Sequence, residues 1–186
     1  EDIVDILNAT SSSESKSEKL KIYSEDEEAR CFAKQIFGTS ITKHLSFEKF
    51  DLGSGEYINL VKRKIPPGFG RSYYIILLDG DFNGIPKKFN HIINLPGNLS
   101  PEKLLANFLN NLSDTDGIWT NIGRNYNKTV CFRNYPLDEI LGDREKAKLW
   151  FNEQKSEYWG RNAHKVIKPW VKNNKQIVNS FIKTFI

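Results

Sequence analysis

The sequence predicts an α/β protein: a mostly parallel sheet flanked by helices, with a helical C-terminal extension. Three observations predict it. Tyr73 to Leu78 is an unbroken apolar and aromatic run that ends on Asp79-Gly80-Asp81. A run without polar alternation suits a strand covered on both faces. Segments of strand and helix character alternate from Leu20 to Asp114, the pattern of parallel βαβ units. Beyond Gly117, Trp, Tyr and Phe are spread through helical and loop sequence, as in a helical region packed on a sheet.

Taken in order, residues 1–19 read as a linker and the end of a preceding region. Glu1 to Leu7 would close an earlier element, and Thr10 to Ser17 is a Ser-rich polar run of linker composition. A core of residues 20–116 follows, then a helical subdomain of residues 117–186. Leu20-Lys21-Ile22-Tyr23 is a short strand. Ala29, Phe32, Ala33, Ile36 and Phe37 recur at helical spacing, with acids in the first turn and Gly38 at the expected stop. Ile41 to Asp51 is expected to be a second strand. Gly53-Ser54-Gly55 reads as a turn rather than a phosphate cradle, Glu56 to Lys64 as a short helix, and Pro66-Pro67-Gly68 closes it.

The strand ending on Asp79 comes next, then a short strand at His91 to Leu95, stopped by Pro96-Gly97. Ser100-Pro101-Glu102 has the form of a helix start, with Ser at the cap and Pro at the first position. Leu104, Leu105, Phe108, Leu109 and Leu112 supply that helix with one apolar face ending near Asp114. Asp143 to Lys155 and His164 to Ile186 are expected to be helical, with Pro169 bending or breaking the last one. The aromatic residues after Gly117 suit core packing better than base stacking.

Bulk properties narrow the field modestly. The 186 residues suffice for one domain with a real core. Charge is ordinary in amount, 27% of residues, and slightly basic, +4 net. Its distribution is uneven: Glu1 to Glu28 is acidic, while from Asp143 onward ten bases face four acids. A basic tail of that kind suits phosphate contact, or simply a solvated helix face. Cys31 and Cys131 belong to no CxxC pair, so a reduced, cytoplasmic setting is the expectation. Cys31 falls on an apolar helix face, where a thiol is inert. No signal peptide or membrane-length apolar run appears.

Chemistry centres on Asp79 and Asp81, two acids at the carboxyl end of a strand, where open α/β sheets place ligands. Two carboxylates that close call for a positive charge between them. Asp79-Gly80-Asp81-Phe82-Asn83-Gly84 imitates the start of a calcium loop, but Asn90 occupies the place of its bidentate Glu. A haloacid-dehalogenase-like phosphatase would use Asp79 as nucleophile and Asp81 as acid/base. Its motif usually opens the domain, whereas this one comes late. The third reading joins Glu25, just after the first strand, to Asp79 and Asp81. In a parallel sheet both strand ends face one edge, so three carboxylates converge from loops far apart in sequence. Such a cluster suits one or two Mg²⁺ or Mn²⁺ ions and phosphodiester cleavage. His44, His91 and His164 form no zinc-type pair.

A strand, then Glu at a helix start, then a later apolar strand with Asp-x-Asp resembles the Toprim domain of topoisomerases, primases and OLD (overcoming lysogenization defect) family nucleases. Ile22-Tyr23-Ser24-Glu25-Asp26-Glu27-Glu28-Ala29, Leu77-Leu78-Asp79-Gly80-Asp81 and Leu95-Pro96-Gly97-Asn98-Leu99-Ser100-Pro101-Glu102 look most like the OLD branch. That branch includes ATPase–nuclease effectors of bacterial anti-phage systems such as retrons. The resemblance covers Leu20 to Ser113 and extends weakly to Lys148. It implies a metal-dependent DNA endonuclease or nickase, with Glu25 as metal ligand or general base and Asp79 and Asp81 as metal ligands. Ser100 and Glu102 match a Ser/Glu pair at a second metal position, and equally read as a helix cap. Lys148, with Lys146 and Arg144 close behind, matches a late base near the scissile phosphate.

Two departures stand out: Asp26 where the family commonly has Gly, and Ala29 where many members carry a second acid. They keep open a degenerate interaction module that binds without cutting. No GxxxxGK[ST] occurs. The resemblance therefore implies an ATPase upstream of Glu1 or on a partner chain, with DNA as a further partner and a homo-oligomer as the assembly.

Overall fold

A computed structural model of the chain describes residues 19–63, 74–85 and 89–185. The expectations for Glu1–Leu7, Thr10–Ser17, Pro66-Pro67-Gly68 and Tyr73 lie outside these. Four strands form one sheet: β1 (Leu20–Ser24), β2 (Leu45–Phe47), β3 (Tyr74–Leu78) and β4 (Ile92–Asn94), in the order β2-β1-β3-β4. Every pairing is parallel, with Ile22 opposite Phe47 and Ile75, and Leu77 opposite Ile93. The protein is thus α/β, with a parallel sheet flanked by helices and a helical C-terminal stretch.

The strand order explains the layering. Helix α1 (Glu27–Thr42) leads from β1 outward to β2, and helix α2 (Ser54–Lys62) leads from β2 back past β1 to β3. Crossovers of one hand running in opposite directions must place their helices on opposite faces. The apolar residues divide accordingly. Ile22, Ile75 and Leu77 face Phe32 and Ile36 of α1, while Tyr23, Ile76 and Leu78 face Tyr57 and Ile58 of α2. Ile75 to Leu78 are all buried, as an apolar run without alternation requires. Each such side chain contributes about 1.5–3 kcal/mol.

The remaining helices are α3 (Pro101–Asn110), α4 (Gly117–Ile122), α5 (Lys128–Cys131), α6 (Leu137–Gly142), α7 (Arg144–Gln154), α8 (His164–Asn173) and α9 (Lys175–Phe185). A π-turn at Lys155–Trp159 and a 3₁₀ turn at Arg161–Ala163 join α7 to α8. They lie on the α1 side, where Trp150, Trp159, Trp170 and Phe185 enter the same apolar core as Ile22 and Phe32. Most of the late aromatic residues are therefore core. Among the described residues, no helix is long and apolar enough to cross a membrane.

Four boundaries differ from expectation. The second strand is only Leu45–Phe47, because Ile41 and Thr42 belong to α1. Gly38 adopts φ 64°, ψ 179° and kinks that helix without ending it; the Thr42 hydroxyl donates to the Gly38 carbonyl across the kink. Helix α3 stops at Asn110, before Asp114. The last helical stretch breaks at Asn174, not at Pro169, which lies inside α8. The Asn174 side-chain amide donates to the Trp170 carbonyl at 2.9 Å and closes the helix there.

Candidate functional site

The chain leaves β1 toward β2 but leaves β3 toward β4, so the carboxyl ends of β1 and β3 flank a switch point in the sheet, the preferred ligand position in open α/β folds. Glu25 follows β1 and Asp79 follows β3. Glu25 bridges the two ends: its Oε1 accepts the Asp79 backbone N–H at 3.0 Å. The first residue of α2 holds it from the other side. The Ser54 hydroxyl donates to Oε1, and the Ser54 N–H donates to Oε2 at 3.3 Å. Asp26 is the N-cap of α1, its Oδ1 accepting the Ala29 N–H at 3.0 Å.

The loop between β4 and α3 brings the next acid. A Cβ at Gly80 would lie 2.6 Å from the Gly97 carbonyl oxygen, so the turn after β3 presses directly on that loop. Ser100 sits at the N-cap of α3 without a side-chain capping bond. Its hydroxyl is buried without a partner, as are both carboxylate oxygens of Glu102, which is 1% exposed. Sequence left Ser100 and Glu102 open between helix cap and ligand. The hydroxyl does not cap, and the carboxylate turns into the protein.

The electrostatics follow from burial. Asp79 is buried, and its carboxyl is pushed up to about 9, first by burial and then by the charges of Glu25, Asp26, Glu102 and Asp81. Glu102 is pushed up to about 7, again first by burial, with Asp26 adding to it. The Ser100 hydroxyl lowers it somewhat but is not in hydrogen-bond geometry. Glu28 is raised by burial and by Asp26, while its Oε1 accepts from the Asn152 amide at 2.7 Å.

Helix α7 supplies the opposing charge. Asp143 caps it, accepting the N–H groups of Glu145 and Lys146 at 2.8 and 3.1 Å. The cap fixes Arg144 and Lys148 at the mouth of a cleft of about 510 Å³ lined by Glu25, Asp26, Glu28 and Gly53. Arg144 Nη2 lies 3.6 Å from Glu25 Oε2 and 3.9 Å from Asp26 Oδ2. Lys148 Nζ lies 3.0 Å from Asp26 Oδ2, a charge contact only, since that oxygen has no partner in hydrogen-bond geometry. Burial lowers the Arg144 pKa, but Glu25, Asp79, Asp26 and Glu102 outweigh it, and the net shift is upward.

Of the sequence candidates, Glu25, Asp79, Ser100 and Glu102 share this buried region, and Lys148 stands at its mouth. Lys146 instead pairs with Glu139 at 2.8 Å. Asp81 lies on the exposed turn, where the Phe82 N–H donates back to the Asp79 carbonyl, and its charge adds to the upward push on Asp79. Ser54 was missed as a partner of Glu25, its segment being read as a turn or a phosphate cradle; the signal was Glu56 two residues on, whose carboxylate accepts the Gly53 N–H at 2.9 Å. Asp26, read as a departure from the family pattern, is the acid closest to Lys148.

By type, this donor set fits a hard divalent cation. Unpartnered buried oxygens belong to Asp26, Asp79, Ser100 and Glu102, and all-oxygen donors suit Mg²⁺ or Mn²⁺. The fit is chemical rather than assembled, since among the described residues no three His, Cys, Asp or Glu side chains stand positioned to hold a metal. Cys31 and Cys131 take no part; burial pushes their thiols to about 11 and about 12. No protein-family model, curated protein or solved structure matches the chain.

Proposed function

We propose that this chain is the Toprim-like catalytic part of an OLD-like ATPase–nuclease, a Mg²⁺- or Mn²⁺-dependent DNA endonuclease or nickase of anti-phage defence. One observation carries the reading. Buried carboxylate oxygens of Asp79 and Glu102 lack hydrogen-bond partners at the switch point of a parallel sheet, and Asp26 Oδ2 has only the charge contacts of Lys148 and Arg144 at the mouth. Burial favours the protonated form of the Asp79 and Glu102 carboxyls, and a bound cation would offset the cost of ionising them there.

Asp79, Glu102 and Asp26 would hold the ion, with Ser100 beside them. A divalent ion there supplies a low-pKa water and charge neutralisation for phosphodiester cleavage. Glu25 is held at both oxygens, by the Ser54 hydroxyl and N–H and by the Asp79 N–H, which orients it. Arg144 and Lys148 are placed to neutralise a phosphate arriving at the cleft. DNA is the substrate class, and an ATPase, upstream or in trans, and a homo-oligomer are the partners.

The phosphatase reading needs Asp79 as an ionised nucleophile. Holding a metal needs the same ionised carboxylate, so the two readings are separated by the product: the phosphatase reading expects turnover of a small aryl phosphate and a covalent aspartyl-phosphate at Asp79. A second reading has its own observation: Arg144 and Lys148 already neutralise Glu25 and Asp26, as in a Toprim-like module that binds without cutting. Plasmid nicking with Mg²⁺ or Mn²⁺ separates the two. The wild type is expected to nick and Asp79→Ala to be at least about 100-fold slower. Equal cleavage by both, or by neither, overturns the catalytic reading.

A further inference from the structure

The bases that follow Asp143 are not scattered. The stretch from α7 through the two turns to α8 runs alongside α1 and sets a row of cations against it. Arg144 and Lys148 meet Glu25 and Asp26, and Lys155 meets Glu27. Lys34 lies two turns beyond Glu27 on α1 and extends the basic side of the helix. Beyond it, Lys34, Gln35 and Thr39 of α1 face Arg161, His164 and Lys168 across a cleft of about 520 Å³. The acids end where this cleft begins. Its lining contains none, and among the described residues no carboxylate lies within ion-pair distance of Lys34, Arg161 or Lys168. Lys34 has only the Phe47 ring, 5.2 Å from its Nζ.

The turn that presents Arg161 is strained. Asn162 and Ala163 both adopt left-handed backbone, at φ 53° and 51°, after Gly160 at φ 72°. Two successive non-glycine residues in that region are uncommon and persist only when packing over-determines them. Here the fully buried Trp159 and Ala163 do so. Lys168 and Lys172 then stand one turn apart on the exposed side of α8, opposite the buried Val166, Ile167 and Trp170. Like charges at that spacing repel. Lys168 lines the acid-free cleft, whereas Lys172 lies outside its lining.

We infer that this cleft is a phosphate-binding groove for a nucleic-acid strand, which lies along α1 and runs from the groove toward Glu25 and Asp79. The row fits a strand because it is linear: eight residues of α1 between Asp26 and Lys34 span about 12 Å, a distance bridged by a few backbone phosphates. A flat anionic membrane would not follow a concave cleft. That the bound strand is also the one cut rests on the nuclease reading; the binding itself does not.

The test is anisotropy titration of fluorescein-labelled single-stranded and duplex DNA against the whole chain in EDTA, where no cleavage intervenes. Wild type is compared with Arg161→Ala/Lys168→Ala and with Lys175→Ala/Lys183→Ala, which removes equal charge from α9. The groove variant is expected to bind at least about 10-fold more weakly at low salt. The slope of its log K against log[salt] should be shallower by about 1.4–1.8, two phosphate contacts' worth. The α9 variant should stay within about 2-fold of wild type. The inference is overturned if the groove variant keeps wild-type affinity and slope, or if both variants weaken equally. Binding of phosphatidylserine vesicles but not DNA by the wild type overturns it too. Circular dichroism melts confirm that the variants remain folded. Nicking that depends on Asp79 but not on the groove residues, with unchanged binding, sinks the groove alone. Groove-dependent binding without nicking sinks the nuclease reading alone.

Discussion

Asp79 concentrates the chemistry of the site in one carboxyl. Burial and four neighbouring carboxylates raise it from 3.8 to about 9, so without divalent cations the folded protein keeps a proton that the unfolded chain releases. The native state then binds more protons than the unfolded state across that window. Stability is greatest below about pH 4 as far as this group is concerned, and it is lost as pH rises through about 9. Glu102, raised to about 7, adds the same sign over a narrower window. Asp79→Asn cannot titrate and removes the larger contribution. Urea melts in EDTA should show wild-type stability falling more steeply than the variant's between pH 5 and 9, by at most about 1.4 kcal/mol per pH unit. Parallel curves for the two proteins would contradict this assignment.

At the scale of elements, the site depends on how tightly the turn after β3 sits on the loop before α3. Gly80 allows that contact, with backbone atoms of Gly97 and Leu95 within 3.0 Å of where its Cβ would be. Backbone cannot swing aside as a side-chain tip can, so Gly80→Ala must push the loop that leads to Ser100 and the first turn of α3 with Glu102. We expect a loss of about 1–3 kcal/mol in urea unfolding. Gly117→Ala makes the control, because nothing lies within 4 Å of its Cβ position, and it should leave stability unchanged or slightly higher. A Gly80 variant as stable as that control would show the contact to be loose. Helix α7 matters for the opposite reason. Arg144, 55% exposed, leans from its first turn over Glu25, so charge crosses the cleft without a rigid wall.

At the scale of the whole molecule, one core joins the sheet to the C-terminal helices, so cation binding at the strand ends should stabilise the entire fold. At pH 8, Mg²⁺ or Mn²⁺ at 100 times its Kd should add about 2.7 kcal/mol, read as a rise in Tm. Asp79→Asn should lose most of that rise, and an equal rise in both proteins would place the ion elsewhere. The fold class, β3, the acid at its end and the strand–Glu25–helix unit were legible in the sequence. Each is a local matter of apolar run length, helical spacing and a polar residue at a boundary. The helix-period residues of α1 likewise announced its buried face, though not that Gly38 would bend the helix rather than end it. Whether Asp81 joins Asp79 was not legible, because a single turn at Gly80 decides where a carboxylate one residue on will point. Nor could the sequence show that Ser54 anchors Glu25, or that Arg144 and Lys148 reach Asp26, since those contacts depend on how α2 and α7 pack against strands far away in the chain. By itself, then, the sequence determined the elements and the acids at their ends, since both follow from neighbours along the chain. Only the tertiary structure decided which acids share a desolvated space and which cations oppose them, because burial and charge proximity are set by packing in three dimensions.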